Sequence, residues 1–343
     1  MFCKKCIMPK ESPLVKLDSS GVCQYCKSYT PFNCKGEKAL QETLNLCRNP
    51  DGDYDCIVNI SGGRDSSYAL LSIVKDYHMR VLALNYKNPF TDEQAEKNME
   101  NAVKILRVPL IRFGLPAKLH QKFVSYYFKH WHLKPSFELI PFVCIGCKLI
   151  WNKIIAIAKR FKVRCIINGG NPYEYISFKK KFFKVPVNLP LSLTYVLNIG
   201  GLLFSFMKNL IVINPPHFPI LIKAYLFANQ YAPGTKLLGR GIKMIDYFHY
   251  IPWDEERIVK RIKKELNWDY PKRFFSTWRF DCKISHLKDY MYLKTINMNE
   301  RHDFYSKLIR EGKLKKKDAI QRIEKETLIL SSFVKQFLLN MEI

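Results

Sequence analysis

Six consecutive residues, Ser61-Gly62-Gly63-Arg64-Asp65-Ser66, have the types needed to hold a run of phosphates. Two glycines let the backbone come close to an anion and take dihedrals that other residues avoid. The N–H groups this exposes, with a helix starting behind them, favour negative charge. Ser61 and Ser66 add hydroxyl donors, and Arg64 adds a cation. The pattern is not the G-x4-G-K-[ST] loop of kinases and GTPases. Arg64, Asp65 and Ser66 are the candidate catalytic residues. Downstream, Asn168-Gly169-Gly170-Asn171-Pro172-Tyr173-Glu174 offers a second glycine turn. Gly169 and Gly170 would let backbone approach a nucleotide, and Glu174 could bind Mg²⁺ or orient a substrate. Leu84, Asn85 and Tyr86 are candidates to hold adenine or ribose.

Cysteines form the second chemical set. There are 11, and six of them fall into three C-x2-C pairs. Two thiolates so spaced converge on a metal more readily than they form a disulfide. Cys3, Cys6, Cys23 and Cys26 make C-x2-C-x16-C-x2-C, a spacing for a closed tetrahedral Zn²⁺ with a role in folding. Cys144 and Cys147 form an incomplete pair, for which Cys282 is the candidate third ligand. Three thiolates suit either a second zinc with one outside ligand or a [4Fe-4S] cluster with one open iron; buried apolar cysteines are the bland alternative. Cys34, Cys47, Cys56 and Cys165 stand alone.

These residues need a scaffold, and the pattern around them supplies one. A helix is expected over 37–48 and a buried strand over 54–60, followed by the glycine loop and a helix over 66–77. A strand over 81–86 comes next, then a helix over 92–106 with Thr91 or Asp92 as N-cap. A strand over 109–113, a helix over 148–161 opened by Cys144–Cys147, and a strand over 163–168 complete the alternation. This implies an α/β fold with a doubly wound parallel sheet, whose ligands sit at the carboxyl ends of the strands. The domain reading is a zinc-binding module at 1–30, the nucleotide core at 31–184, an apolar insertion at 185–232, and a helical region at 233–343 that completes the active site.

The insertion has no charged residue from 185 to 207, yet Pro186, Pro190, Gly200 and Gly201 interrupt it. Its unbroken apolar part is near or below the about 18–20 residues needed to span a bilayer. A pair of buried helices accounts for it. The basic-aromatic run at 179–184 before it leaves open a membrane-surface contact through 179–207. A formal net charge of +26 calls for an anionic partner without naming it. The N-terminus lacks an apolar signal core, and paired free cysteines suit a reducing compartment, so a cytoplasmic protein, membrane-associated in the surface reading, is expected.

The loop resembles the S-G-G-x-D-S motif of the PP-loop ATP pyrophosphatases, with Arg64 where lysine is commoner. That superfamily, adenine nucleotide alpha hydrolase-like in fold, splits ATP into AMP and pyrophosphate. The wider arrangement is Cys3-x2-Cys6-Ile7-Met8-Pro9, Asp18-x2-Gly21-Val22-Cys23-x2-Cys26, the loop, Cys144-x2-Cys147 and Ser276-Thr277-Trp278-Arg279-Phe280-Asp281-Cys282. Together with Leu308-Ile309-Arg310-Glu311-Gly312 it resembles the N-acetyl sugar amidotransferases of lipopolysaccharide and surface-polysaccharide biosynthesis. The resemblance implies an ATP-dependent, AMP-forming carbon–nitrogen ligase. It would convert the N-acetyl group of a nucleotide-activated sugar to an acetamidino group, with Mg²⁺ on the phosphates. No glutaminase signature is evident, so ammonia would come from a glutamine amidotransferase partner. The alternative is a PP-loop tRNA sulfurtransferase using a three-cysteine cluster, with the positive charge serving tRNA.

Overall fold

The computed structural model describes residues 1–116, 118–182 and 215–341. Five parallel strands form one sheet: β1 (Cys56–Asn59), β2 (Val81–Tyr86), β3 (Leu110–Phe113), β4 (Cys165–Asn168) and β5 (Lys243–Asp246). Their order is β3-β2-β1-β4-β5. The chain therefore runs outward from β1 to β3, returns to the other side of β1, and continues outward to β5. The reversal lies between β1 and β4, where Cys56 pairs with Cys165 and Val58 with Ile167. At such a switch point two successive loops diverge and leave a crevice.

Alternation along the strands fixes which helices cover which face. Cys56 and Val58 of β1 and Ile167 of β4 point into a core with the helices Glu37–Cys47, Arg64–Lys75 and Glu255–Leu266. Ile57, Leu82, Leu84 and Ile166 point the other way, onto Trp151, Ile154 and Ala158 of the helix Trp151–Arg160. Both faces are buried, as near-continuous apolar strands of a parallel sheet require. The expected α/β class and doubly wound parallel sheet are what the chain adopts.

A second core joins the N-terminal cysteines to the helices Leu119–Leu133, Lys283–Ile296 and Lys316–Leu339. The C-terminal region is helical as expected, apart from β5, which the sequence reading did not anticipate. The Cys144–Cys147 pair does not open a helix. Phe137–Cys144 and Gly146–Lys148 are 3-10 turns, and the α-helix begins at Trp151. Pro141 within the first turn and the imidazole of His120 packed on Gly146 account for the difference. A Cβ at Gly146 would lie 2.3 Å from His120 Nδ1. The expectations for 185–214 fall outside the described residues. The rest of the insertion includes the helix Phe218–Phe227, in which Ala224 is buried while Phe218 and Ile222 are exposed. No helix among the described residues is long and apolar enough to cross a membrane.

Candidate active site

The phosphate loop leaves the carboxyl end of β1 and enters the helix Arg64–Lys75, with Gly63 as N-cap. Gly62 takes φ +79°, and a Cβ there would meet the Ala95 carbonyl oxygen at 1.9 Å, so only glycine fits. The Gly62 carbonyl accepts from Trp268 Nε1 at 3.0 Å and from Asn98 Nδ2 at 3.2 Å. Ser61 and Ser66 hydroxyls stand 3.1 Å apart, and Ser66 Oγ also donates to the Gly63 carbonyl. Across the switch point, a Cβ at Gly169 would lie 2.7 Å from Asp65 C and Ser66 N. The β4 loop is thus pressed against the phosphate loop, and two glycine turns make one mouth.

Arg64 is turned into the protein. Its guanidinium reaches Asp65 at 2.7 and 3.0 Å, Thr277 Oγ1 at 2.8 Å and Glu255 at 3.1 Å, over the Trp253 ring. Asp65 accepts further from Trp253 Nε1 at 3.0 Å and Asn171 Nδ2 at 3.3 Å. Held by four hydrogen bonds from three residues, Asp65 presents its carboxylate to the cavity in one orientation. Arg64 acts as its clamp, a positioning task beyond the charge contribution read from the sequence.

A cavity of about 480 Å³ opens on these groups. It is lined by Ser61, Asp65 and Ser66, by Leu84, Asn85 and Tyr86 at the end of β2, and by Gly169, Gly170 and Glu174 after β4. Every nucleotide-site residue named from the sequence, save Gly62 beneath the loop, therefore borders one space, although the Arg64 guanidinium is turned inward from it. Asn85 is also held, donating to the Ile60 carbonyl at 2.8 Å and accepting from Arg112 at 3.1 Å. Glu174 has its carboxyl pushed up by burial, against the pull of Arg279, which donates to it at 3.2 Å.

Sequence reasoning treated the 276–282 segment as a family mark, and the structure makes it a wall of the cavity. Asp281 accepts from Ser61, and burial raises its pKa. With Asp65 and Glu174 it gives the cavity three carboxylates, the oxygen donors that Mg²⁺ takes. Arg279 holds φ +47°, a left-handed backbone costing a side-chain-bearing residue on the order of 1 kcal/mol. Its NH1 donates to Glu300 at 2.6 Å. Glu300 also pairs with Lys179 at 2.7 Å and Lys288 at 3.0 Å. Burial works to raise the Glu300 pKa, but the three cations hold it well below the usual carboxylate range. Lys288 and Arg279 line the cavity, so its far wall is cationic. Nothing in the local spacing of Arg279, Lys288 and Glu300 announces this cluster, because three separate elements bring it together.

Cys144, Cys147 and Cys282 line the same cavity. The neighbouring Cys147 thiol, with Lys288, His120 and Lys148 nearby, holds the Cys144 thiol well below the ordinary value. Burial pushes Cys282, N-cap of the helix Lys283–Ile296, up to about 12, and its Sγ accepts from Asn88 Nδ2 at 3.3 Å. The three sulfurs share a space but do not close to ligand distance. Cys3, Cys6, Cys23 and Cys26 form the one set of three or more such donors among the described residues with all ligand atoms within 4.8 Å of one another. In that set Cys3 and Cys26 lie 4.0 Å apart, and Cys6 and Cys23 3.7 Å apart. Thiolates on one tetrahedral zinc, each about 2.3 Å from the metal, lie roughly 3.8 Å from one another, so the four fit a structural metal. Arg310 donates to Cys26 at 3.2 Å and Cys6 at 3.5 Å, and Cys23 N donates to Cys3 Sγ at 3.2 Å. These are the outer-shell donors expected around metal-bound thiolates.

The chain matches no described protein-family profile. Over 115 residues it is 27% identical to an uncharacterized protein of Methanocaldococcus jannaschii; the stretch makes up 32% of this chain and 42% of that relative, less than half its length. Among solved structures it is similar to NMN synthetase from Francisella tularensis, at 17% identity and a TM-score of 0.30, covering 67% of this chain and 91% of that one. It is also similar to the U34-tRNA thiolase of Methanococcus maripaludis, solved with its [4Fe-4S] cluster. There the identity is 14%, the TM-score 0.35, and the coverage 91% of this chain and 86% of that one.

Proposed function

We propose that this chain is a PP-loop ATP pyrophosphatase that activates an amide carbonyl, and that its acceptor is the N-acetyl group of a nucleotide-activated sugar. The observation that carries the reading is the Ser61–Ser66 loop at the sheet's switch point, whose Asp65 shares one cavity with Glu174 and Asp281. Backbone N–H groups of the loop, the start of the helix Arg64–Lys75 and the Ser61 and Ser66 hydroxyls bind the pyrophosphate end of ATP. Among Asp65, Glu174 and Asp281, one or two carboxylates would hold a largely hydrated Mg²⁺ together with the phosphates, and the ion would neutralise charge on the leaving pyrophosphate. The amide oxygen attacks the α-phosphorus and the bond to pyrophosphate breaks. Ammonia then adds to the imidate carbon, and AMP leaves with the former amide oxygen. An amidine remains in place of the amide. Arg279 and Lys288, on the far wall, favour the anionic species at each stage.

A second reading, sulfur transfer to tRNA, is favoured by one observation: Cys144, Cys147 and Cys282 line the same cavity as the loop. One assay separates the two. ATP, Mg²⁺ and a UDP-N-acetyl sugar with ammonium should yield AMP, pyrophosphate and an acetamidino sugar, whereas ATP with tRNA and sulfide should yield no AMP above background. The reverse pattern overturns the sugar reading, and ADP as the main product overturns both. Asp65→Asn, which keeps the shape and removes the charge, should lower kcat on the order of 100-fold or more.

A further inference from the structure

The pairing of the strands lays a polar row across their carboxyl ends. Leu84 of β2 pairs with Asn59 of β1, and Asn168 of β4 pairs with Asp246 of β5. β1 and β4 are neighbours, and Asn59 Nδ2 donates to Asn168 Oδ1 at 2.7 Å. Strands covered on both faces carry near-continuous apolar runs, so two asparagines and an aspartate side by side need a reason. Leu84, Asn59 and Asn168 line the cavity, whereas Asp246 is buried outside its lining.

Gln230, also buried, completes the row. Asn168 Nδ2 donates to Gln230 Oε1, and Gln230 Nε2 donates to Asp246 Oδ2. The Tyr231 hydroxyl donates to the same carboxylate oxygen at 2.6 Å. The other oxygen is pressed on the β4 turn, where a Cβ at Gly170 would lie 2.2 Å from Asp246 Oδ1. A carboxylate can only accept, so it admits Gln230 by its NH₂ end. The Gln230 oxygen must then receive the Asn168 nitrogen, and the Asn168 oxygen must receive the Asn59 nitrogen. Each amide is turned one way by the next, and Asp246 sets the direction. The end of the chain is Asn59 Oδ1, which accepts from no protein group among the described residues. Asn59 is half-buried at the border of the cavity.

An acceptor of fixed direction matters most to a ligand group that cannot turn. A hydroxyl rotates to suit either polarity, but the exocyclic group of a nucleobase is a donor or an acceptor by constitution. The surroundings suit a base. Leu84 stands next to Asn59 in the row, and Phe113, Ile150, Trp151 and Ile154 line the same cavity. Such an apolar slot covers a flat ring, and a few placed polar groups orient it.

We infer that the Asp246–Gln230–Asn168–Asn59 relay makes Asn59 Oδ1 the acceptor for the amino group of adenine, so that the cavity takes ATP and refuses a nucleotide with a carbonyl at that place; the inference rests on the reading of the Ser61–Ser66 loop as an ATP site. Asn59 touches the base, and Asp246 and Gln230 are positioning residues that act through it. Calorimetric binding of ATP and of ITP, each with Mg²⁺, to the full chain tests this. ITP carries a carbonyl where ATP carries the amino group. The wild type should hold ITP roughly tenfold or more weakly, because two acceptors would meet unpaired. Asp246→Asn keeps the shape but gives the relay an end that can donate, so the amides can reverse. The preference should shrink to within about threefold, with ITP held more tightly than by the wild type. Asn59→Leu removes the acceptor and should bring the two nucleotides equally close, again with a gain for ITP. General loosening of the site would weaken both nucleotides and give no such gain. Should Asp246→Asn fail to fold, Asn59→Leu decides alone. Equal binding of ATP and ITP by the wild type, or a preference that survives in either folded variant, overturns the relay and leaves the ATP site standing. Binding of neither nucleotide by the wild type overturns the ATP site itself.

Discussion

At the N-terminus, Cys3, Cys6, Cys23 and Cys26 already stand at metal-ligand spacing, with Arg310 donating to two of the sulfurs. In the cavity, Cys144 and Cys147 are neighbouring free thiols, while Asn88 holds Cys282. The same C-x2-C spacing opens both groups, yet their surroundings differ. The first is sealed between a hydrophobic cluster and the helix Glu300–Arg310, and its fourth position is filled by protein. The second faces a cavity shared with the phosphate loop and is ringed by Lys288, His120 and Lys148. Four converged thiolates act as a staple for a small module that could not bury enough surface alone. Cys144, Cys147 and Cys282 border the cavity without converging, so they hold no such staple.

The largest expected effect separates the two groups by stability. Cys23→Ala, or metal removal by a strong chelator, should cost on the order of 5 kcal/mol or more, because zinc-binding free energy is folding free energy. Cys147→Ala should change stability by only about 1 kcal/mol, as an ordinary substitution would, and AMP formation should change little, because no step of the amidation uses this sulfur. Urea denaturation beside an AMP assay measures both, and equal destabilisation would erase the distinction.

A smaller effect tests the outer shell of the staple. Cys23 and Cys6, and then Arg310, hold the Cys26 thiol down to about 3. Arg310→Ala removes one of these influences, so the thiol moves up and protons compete for it sooner. Zinc should be released at higher pH on acid titration, followed with a chromogenic chelator, and stability should fall by about 1–3 kcal/mol. Release at an unchanged pH would mean that the guanidinium only packs there.

The smallest effect concerns the cavity. Lys288 favours the Cys144 thiolate, after the larger contribution of Cys147. Lys288→Met should therefore shift Cys144 alkylation to higher pH and slow it roughly two- to fivefold at neutral pH, since the thiolate is the nucleophile. Peptide mass spectrometry locates the label. An unaltered rate would mean that the cationic wall does not act on this sulfur.

How far each group could be read from the sequence follows from how local it is. The strands β1 to β4 and the phosphate loop lie within a few residues of where apolar runs and glycines put them. Of the two N-caps expected, Thr91 or Asp92, it is Asp92 that caps the helix, accepting from Gln94 N. The four N-terminal cysteines were legible as a set because all lie within one short module. The Lys179–Glu300–Arg279–Lys288 cluster was not, because its members are brought together by tertiary packing alone. β5 escaped for a related reason: Lys243 and Asp246 interrupt its apolar run, and it is identified by its pairing with β4. The role of Arg64 as a clamp was hidden because Glu255, Thr277 and Trp253 lie far along the chain.

Two of the five tryptophans hold the phosphate loop directly, Trp268 through the Gly62 carbonyl and Trp253 through the Asp65 carboxylate. Their indole protons sit on the groups that must feel an arriving nucleotide. The chain therefore carries its own optical and magnetic gauge of occupancy. Emission from these two rings and their indole resonances sense the loop from beneath, where no attached dye would crowd the substrate.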